Sequence, residues 1–140
     1  MISDKKKLKC ILLVDDDEFV NLLHKTVIED LEISKNVEIA ESGDTALDLL
    51  ECPKIKDCKT PDLIFLDLNM PGMTGWDFLE SYRIKKNQCA TKPLIIILSN
   101  SSNPYDIKKA EGYEEVAGFR SKPLTDLMMH EIMHRYFAIS

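Results

Sequence analysis

Short apolar runs alternate along the chain with segments in which apolar residues recur every three or four positions. The runs are rich in β-branched or aromatic side chains, which is typical of β-strands. They are KCILLV (9–14), VEIA (37–40), DLIFL (62–66), LIIILS (94–99) and a weaker VAGFR (116–120). Three of these runs are apolar throughout, which indicates strands that are covered on both faces of a sheet.

A segment with helical spacing follows each run. The apolar positions are Phe19, Val20, Leu23, Val27 and Ile28; then Ala46, Leu47, Leu49 and Leu50; then Trp76, Phe78, Leu79 and Tyr82; and finally Leu124, Leu127, Met128, Ile132 and Phe137, with a weaker helix after Pro104. Because each right-handed crossover returns the chain to the same edge, this alternation predicts an α/β fold, a doubly wound sheet of five parallel strands with helices on both faces. We expect one domain over residues 1–140, with a core of about 8–138, an exposed loop at 53–61 and no output domain.

The composition narrows the classes of function. The chain has 140 residues, of which 44% are hydrophobic and 30% charged, and this suits one sizeable core. The net charge of −6 and the scattered basic residues argue against nucleic-acid binding. No apolar run reaches the roughly 18 residues that span a bilayer, and no signal peptide is evident, so we expect a soluble, cytoplasmic protein without a membrane partner. The four cysteines form no C-x-x-C pair and are expected to be reduced thiols.

Polar residues follow four of the predicted strands, at the points where the strands end. They are Asp15, Asp16 and Asp17 after the first strand, Asp67 after the third, Ser99 at the end of the fourth and Lys122 just past the fifth. Ligands in open α/β sheets bind beyond the carboxyl ends of the strands, so these side chains are expected to share one edge.

Each of these residues has an ordinary structural explanation when it is taken alone. An acid after a strand is often the N-cap of the next helix, and Asp17 is expected to serve in this way. Asp67 can be a turn-forming residue, Ser99 a strand-end hydroxyl and Lys122 a solvated cation. Their occurrence together favours a functional site.

The cluster also permits a specific chemistry. Crowded carboxylates repel one another and attract a hard divalent cation, and Mg²⁺ prefers oxygen ligands and retained waters. The Asp67 carboxylate can act as a nucleophile toward phosphorus and form an aspartyl phosphate. Lys122 can then pair with one phosphoryl oxygen, and the Ser99 hydroxyl can donate a hydrogen bond to another.

Four motifs at these strand ends resemble those of the response-regulator receiver domain, a CheY-like family. ILLVDDDE resembles the first strand and acidic pair of that family, LIFLDLNMPGMTG its phosphoacceptor loop, IIILS its switch-hydroxyl strand and FRSKP its lysine-proline turn. The motifs occur in the order of the family, and the resemblance covers nearly the whole chain. It implies the strand order 2-1-3-4-5.

The resemblance also implies a role for each site residue. Asp67 is the expected phosphoacceptor, and Ser99 and Lys122 are expected to contact the phosphoryl group. The implied cofactor is Mg²⁺, and its implied protein ligands are Asp15, Asp16, Asp67 and the backbone carbonyl of Asn69, with Asp16 the more direct ligand of the first pair. A cis peptide bond is expected before Pro123.

Phe119 stands where receiver domains have an aromatic switch residue. In that interpretation Ser99 moves toward the phosphoryl group and Phe119 swings inward, which remodels the face of the fourth helix, fifth strand and fifth helix. Phe119 can equally be a plain core residue. Met129, Met133 and Tyr136 lie off the apolar line of the fifth helix, and this suggests a homodimer or partner through that face.

Together these features predict a stand-alone response regulator of a two-component phosphorelay. We expect it to take a phosphoryl group from a histidine kinase or phosphotransfer protein, to signal to a downstream protein and not to be a turnover enzyme. The alternative is a degenerate receiver that acts as an unphosphorylated docking module.

Two other classes of protein fit the sequence less well. A haloacid-dehalogenase-like phosphatase needs an acid where this chain has Asn69, and a flavodoxin-like cofactor binder needs hydroxyls and glycines where this chain has aspartates. Asn100 departs from the small residue common in receiver domains, and His24, His130 and His134 show no metal-binding or catalytic spacing.

Overall fold

In the described part of the chain, five strands alternate with five helices. The structure is a computed structural model that describes residues 7–51, 60–85, 93–100 and 103–138. The strands are β1 (Ile11–Val14), β2 (Val37–Ala40), β3 (Leu63–Leu66), β4 (Leu94–Ser99) and β5 (Val116–Ser121). The helices are α1 (Glu18–Leu31), α2 (Gly43–Glu51), α3 (Gly75–Lys85), α4 (Pro104–Glu111) and α5 (Asp126–Phe137). Within these residues, no helix combines the length and the apolar character that crossing a bilayer requires.

The strands form one parallel sheet in the order β2-β1-β3-β4-β5. The predicted fold class and the strand order implied by the resemblance are therefore confirmed. Leu66 of β3 pairs with Val14 of β1 on one side and with Ile97 of β4 on the other. Because of this register, the residues that follow β1, β3 and β4 meet at one edge of the sheet.

Each face of the sheet carries its own apolar core. On one face, Val14, Leu66 and Ile97 pack with buried residues of α2, α3 and α4. On the other face, Leu13 and Phe65 pack with buried residues of α1 and α5. Strands β1 and β3 are buried along their whole length, as their uninterrupted apolar pattern predicts. The two cores fix the central strands and therefore the backbone from which the polar edge residues project.

Helix α1 buries only part of the apolar set that shows helical spacing in the sequence. Phe19 and Leu23 are 73% and 43% exposed, whereas Asn21 and His24 are buried together with Ile28. Helical spacing alone therefore does not place Phe19 and Leu23 in the core. The reason is that the first turns of α1 lie over the end of β1, where backbone polar groups need hydrogen-bond partners that apolar side chains cannot supply.

Helix α5 also differs from its predicted orientation. Met129 and Met133 are buried, whereas Leu127 is 69% exposed. Leu124 precedes the helix, so the apolar line that was counted from it has the wrong helical phase. The Tyr136 side chain is half-buried, and its hydroxyl donates a hydrogen bond to a backbone carbonyl of β5 at 3.1 Å. The prediction that Met129 and Met133 mark a dimer face is wrong, because both belong to the core.

The cysteine prediction needs one correction. Cys10, the cysteine that lies among the described residues, is in a disulfide bond and not a reduced thiol. The prediction relied on the absence of a C-x-x-C pair, but residues distant in sequence can form a disulfide. Cys52, Cys58 and Cys89, and all but the end of the predicted 53–61 loop, lie outside the described residues.

The loop between β3 and α3 packs closely against the first residue of α3. A Cβ atom added at Gly75 would lie 2.5 Å from the carbonyl oxygen of Asp67 and 2.8 Å from Cα of Leu68. The Gly75 N–H also donates to the Leu68 carbonyl oxygen at 3.0 Å. Only glycine fits here without moving the segment that carries Asp67.

The variant Gly75→Ala is expected to lower the free energy of unfolding by more than about 2 kcal/mol, because backbone atoms obstruct the new methyl group. Gly112→Ala is the matched control. Gly112 has a φ of −77°, and its added methyl group would meet the Lys109 carbonyl oxygen at 3.3 Å. The control is expected to cost less than about 1 kcal/mol. Urea unfolding measures both values, and equal stabilities of the two variants would contradict the close packing at Gly75.

Candidate functional site

The three aspartates after β1 have three different environments. The Asp15 N–H donates to the Ala40 carbonyl oxygen of β2 at 3.1 Å, which extends the pairing of the strands by one residue. Asp17 is the N-cap of α1, as predicted, and its Oδ1 accepts hydrogen bonds from two backbone N–H groups of the first turn at 2.9 and 3.1 Å. The Asp15 side chain is buried, and its Oδ1 accepts from the Asp17 N–H at 3.0 Å. Asp16 is exposed.

Asp67 lies next to this segment at the end of β3. Its N–H donates to the Val14 carbonyl oxygen of β1 at 2.9 Å, so the backbones that carry Asp15 and Asp67 are joined directly. Only 5% of Asp67 is exposed. The backbone N–H of Asn69 donates to the Asp67 carboxylate.

Asp15, Asp16 and Asp67 form an acidic cluster. One carboxylate oxygen from each residue lies within 4.8 Å of the other two. Three carboxylates at this spacing suit a hard divalent cation, which prefers oxygen ligands. The residues therefore fit a metal ion, and Asp16 is the member that solvent reaches. The backbone carbonyl of Asn69, the fourth ligand implied by the resemblance, remains a prediction.

Lys122 reaches into the same cluster. Its Nζ lies 2.5 Å from Oδ2 of Asp15 and 3.2 Å from Oδ1 of Asp67, and its side chain is 9% exposed. The peptide bond between Lys122 and Pro123 is cis, as the resemblance implies. Lys122 is therefore a buried cation that bridges two carboxylates on different strands, and its interpretation as a solvated cation is wrong.

Burial and charge repulsion both act on Asp67. Burial raises the pKa of its carboxyl group above the ordinary value, and the charge of Asp15 raises it further. Lys122 and the backbone of Asn69 oppose this shift without cancelling it. Burial alone would lower the pKa of Lys122, but the hydrogen bonds and charges of Asp15 and Asp67 outweigh burial and raise it.

Ser99 and Phe119 lie on the neighbouring strands β4 and β5. Ser99 is fully buried, and its carbonyl oxygen accepts a hydrogen bond from the Lys122 N–H at 3.0 Å. Since Ile97 pairs with Leu66, Ser99 stands at the same edge of the sheet as Asp67. Phe119 is partly buried and packs against the core on the α2, α3 and α4 face. The roles of both residues as switch residues remain predictions.

Two buried residues of α1, Asn21 and His24, adjoin the site and were not among the predicted site residues. With Asp15 and Asp67 they line a small cavity of about 10 Å³ beneath the acidic cluster. The sequence contained a usable signal, because positions 21, 24 and 28 share one helical face and Ile28 is apolar.

A larger cavity, of about 490 Å³, lies at the opposite edge of the sheet, where Lys9 and Asp62 precede their strands. It is remote from the acidic cluster.

The fold and the acidic edge together define a CheY-like α/β domain. Residues 11–134 match the family described as the response regulator receiver domain, and the chain belongs to this family. The chemotaxis protein CheY of Pseudomonas aeruginosa is 29% identical over 127 residues, which cover 91% of this chain and 94% of that protein. The predicted family is therefore confirmed.

Solved structures show the same likeness. A two-component response regulator from Cytophaga hutchinsonii is 30% identical, with a TM-score of 0.79 and coverage of 95% of this chain and 99% of that one. A response regulator receiver protein from Dyadobacter fermentans shares the fold with a TM-score of 0.79 at 24% identity, covering 92% of this chain and 98% of that one.

The variant Asp67→Asn is expected to stabilise the protein when divalent metal ions are absent. The folded state binds the Asp67 proton more tightly than the unfolded chain, so ionisation costs stability as the pH rises through the raised pKa. At neutral pH the variant should melt several degrees higher, which corresponds to about 1 kcal/mol. The difference should shrink as the pH falls back through the pKa of Asp67 in the folded protein.

Asp48→Asn is the control for that experiment, because it removes the same charge from an exposed position on α2. Its stability is expected to stay within about 0.5 kcal/mol of the wild type. Calorimetry in a chelating buffer measures all three proteins. A lower melting temperature for Asp67→Asn would show that ionised Asp67 stabilises the fold, contrary to this account.

Proposed function

We propose that this protein is a response regulator that accepts a phosphoryl group on Asp67 with the help of Mg²⁺. The observation that carries the proposal is the position of Lys122 Nζ, 3.2 Å from the Asp67 carboxylate at an edge where three carboxylates converge. Receiver domains interact with histidine kinases or phosphotransfer proteins. A phosphohistidine of such a protein is therefore the proposed donor.

The residues at the edge suit a transfer to a carboxylate. One oxygen of Asp67 forms a bond to phosphorus while the bond between phosphorus and the donor histidine nitrogen breaks, and the electron pair leaves with the imidazole. Lys122, already held at this carboxylate, pairs with a phosphoryl oxygen, and the Ser99 hydroxyl donates to another. A bound Mg²⁺ would neutralise charge on the transferring group.

A degenerate receiver that only docks to a partner is the other candidate. A docking module has no use for a buried carboxylate such as Asp67, whose pKa is raised by burial and by the charge of Asp15. The complete set of acids and lysine therefore favours phosphorylation. We propose no turnover of a separate substrate, and the proposed reactions are the phosphorylation and dephosphorylation of Asp67 itself.

The face formed by α4, β5 and α5 is the proposed output surface. Phe119 lines a cavity of about 270 Å³ with Ile107, Ala110 and Gly118, which places the proposed aromatic switch residue beside a space between α4 and β5. A change of the Phe119 rotamer would alter the shape of this face. A downstream protein is its proposed partner, and a homodimer through the same face is the alternative.

An apolar patch on α1 adjoins the acidic edge. Phe19, Leu22 and Leu23 are 73%, 60% and 43% exposed, and they lie in the first turns of the helix that Asp17 caps. A protein that delivers a phosphoryl group to Asp67 must cover this edge. The proposed contact for the patch is therefore the apolar surface around the phosphohistidine of the donor protein.

Incubation with Mg²⁺ and acetyl phosphate is expected to add the mass of one phosphoryl group to the intact protein. The Asp67→Asn variant should gain none, since it lacks the nucleophilic carboxylate. Asp16→Asn should weaken Mg²⁺ binding by about tenfold or more, because it removes an oxygen ligand, whereas Asp48→Asn should behave as the wild type. An unmodified wild-type protein would favour the docking module.

Leu22→Asp is expected to slow transfer from a phosphorylated histidine phosphotransfer domain by about tenfold in kcat/KM, because it places a charge in the apolar contact. Its rate with acetyl phosphate should be unchanged. Ile84→Asp is the matched control, since Ile84 is 79% exposed on α3, on the opposite face of the sheet. If both variants slow the protein donor equally, the α1 patch is not its contact surface.

A further inference from the structure

Two hydrogen bonds anchor the backbone on either side of Lys122. The Lys122 N–H donates to the Ser99 carbonyl oxygen at 3.0 Å, which attaches the segment to β4. Two residues later, the Leu124 N–H donates to Nε2 of His24 at 3.2 Å, which attaches the same segment to α1. Pro123 lies between them and has no N–H to donate. The position of the Lys122 side chain is therefore set from both sides of its backbone.

His24 is well suited to be a hydrogen-bond acceptor. It is 2% exposed. Burial lowers the pKa of its imidazole below the ordinary value; the Asp15 charge opposes this shift, and the Lys122 charge adds to it. A neutral imidazole keeps a lone pair on one ring nitrogen, and the Leu124 N–H donates to that nitrogen. An apolar side chain at this position would leave a buried amide without an acceptor.

Asn21 makes a parallel contact one turn earlier on the same face of α1. It is 1% exposed, and its Nδ2 donates to the backbone carbonyl oxygen of Asp15 at 2.7 Å. The buried polar face of α1 therefore contacts both of the chain segments whose side chains form the Lys122–Asp15 ion pair. Through Asn21 and His24, the rigid helix α1 fixes the distance between the segment after β1 that carries Asp15 and the segment after β5 that carries Lys122.

We propose that His24 is a positioning residue for phosphoryl acceptance, which acts through the Leu124 amide to hold Lys122 against Asp15 and Asp67. This inference rests on the proposed function of Asp67 and adds to it a residue that touches neither the phosphoryl group nor the metal. Misplacement of a charged group by about 1 Å can lower a rate by as much as 10²-fold. Loss of the His24 acceptor should therefore affect the rate of phosphorylation and not only the stability of the fold.

Four variants separate positioning from simple stability. His24→Gln offers a carbonyl oxygen that can replace Nε2 as the acceptor. His24→Leu keeps the approximate size of the side chain but has no hydrogen-bond acceptor. Should His24→Leu fail to fold, His24→Asn takes its place, because its shorter amide cannot reach Leu124. Ile28→Val is the stability control, since Ile28 is fully buried one turn further along the same face of α1.

The first measurement is the phosphorylation rate with acetyl phosphate at saturating Mg²⁺. We expect His24→Leu to react about tenfold more slowly or worse, His24→Gln to stay within about threefold of the wild type, and Ile28→Val to react as the wild type despite a lower melting temperature. Mg²⁺ affinity should change by less than about threefold in all variants, because the carboxylates are intact. If His24→Leu loses stability but reacts at the wild-type rate, or if His24→Gln does not restore the rate, the positioning role is overturned.

The second measurement needs no phosphodonor and no metal. In ¹H–¹⁵N spectra of the lysine ammonium groups, the buried ion pairs should slow proton exchange at Lys122 in the wild type and in His24→Gln, and His24→Leu should lose this protection. This result supports the positioning role even if acetyl phosphate fails to modify the wild type, in which case the proposed function alone fails. Equal loss of protection in His24→Leu and Ile28→Val, or no protection in the wild type, would overturn the positioning role.

Discussion

The pair of buried ion contacts between Lys122 and the carboxylates of Asp15 and Asp67 is the interaction on which the whole site depends. Burial raises the pKa of the Asp67 carboxyl group, and repulsion from the nearby Asp15 carboxylate raises it further. The positive charge of Lys122 neutralises part of the negative charge of the acidic cluster. The remaining excess of negative charge makes the edge attractive to a divalent cation.

The fold supports this arrangement with elements that have little tolerance for movement. The strands β1 and β3 are buried on both faces, and a backbone hydrogen bond between Asp67 and Val14 continues their pairing into the site. Gly75 allows α3 to begin directly against the Asp67 segment. Helix α1 contacts the segment that carries Asp15 through Asn21, and it contacts the segment that carries Lys122 through His24. The stability of the two cores thus maintains an edge that is itself unfavourable, as is common where a fold carries a functional site.

The sequence was sufficient for the architecture, because strand and helix periodicities are properties of neighbouring residues. The uninterrupted apolar runs identified the central strands. Because residues that follow parallel strands lie at one edge of the sheet, Asp15, Asp67 and Lys122 were predicted to meet there. The orientation of helices was harder to predict. On α1, the buried face is polar because it satisfies backbone groups from other segments, and on α5 the helix begins after Leu124, which shifts its phase. Contacts of this kind depend on residues that are distant in sequence. The roles of Ser99 and Phe119 and the Asn69 ligand follow from family resemblance and not from periodicity.

The most direct test of the account is to locate the phosphoryl group within the chain. Phosphorylated protein can be reduced with borohydride, which converts an aspartyl phosphate to homoserine, and then mapped by peptide mass spectrometry. Homoserine is expected at position 67 in the wild type, with no conversion at the neighbouring acids 15 and 16. A phosphorylated protein whose position 67 stays aspartate after reduction would contradict it.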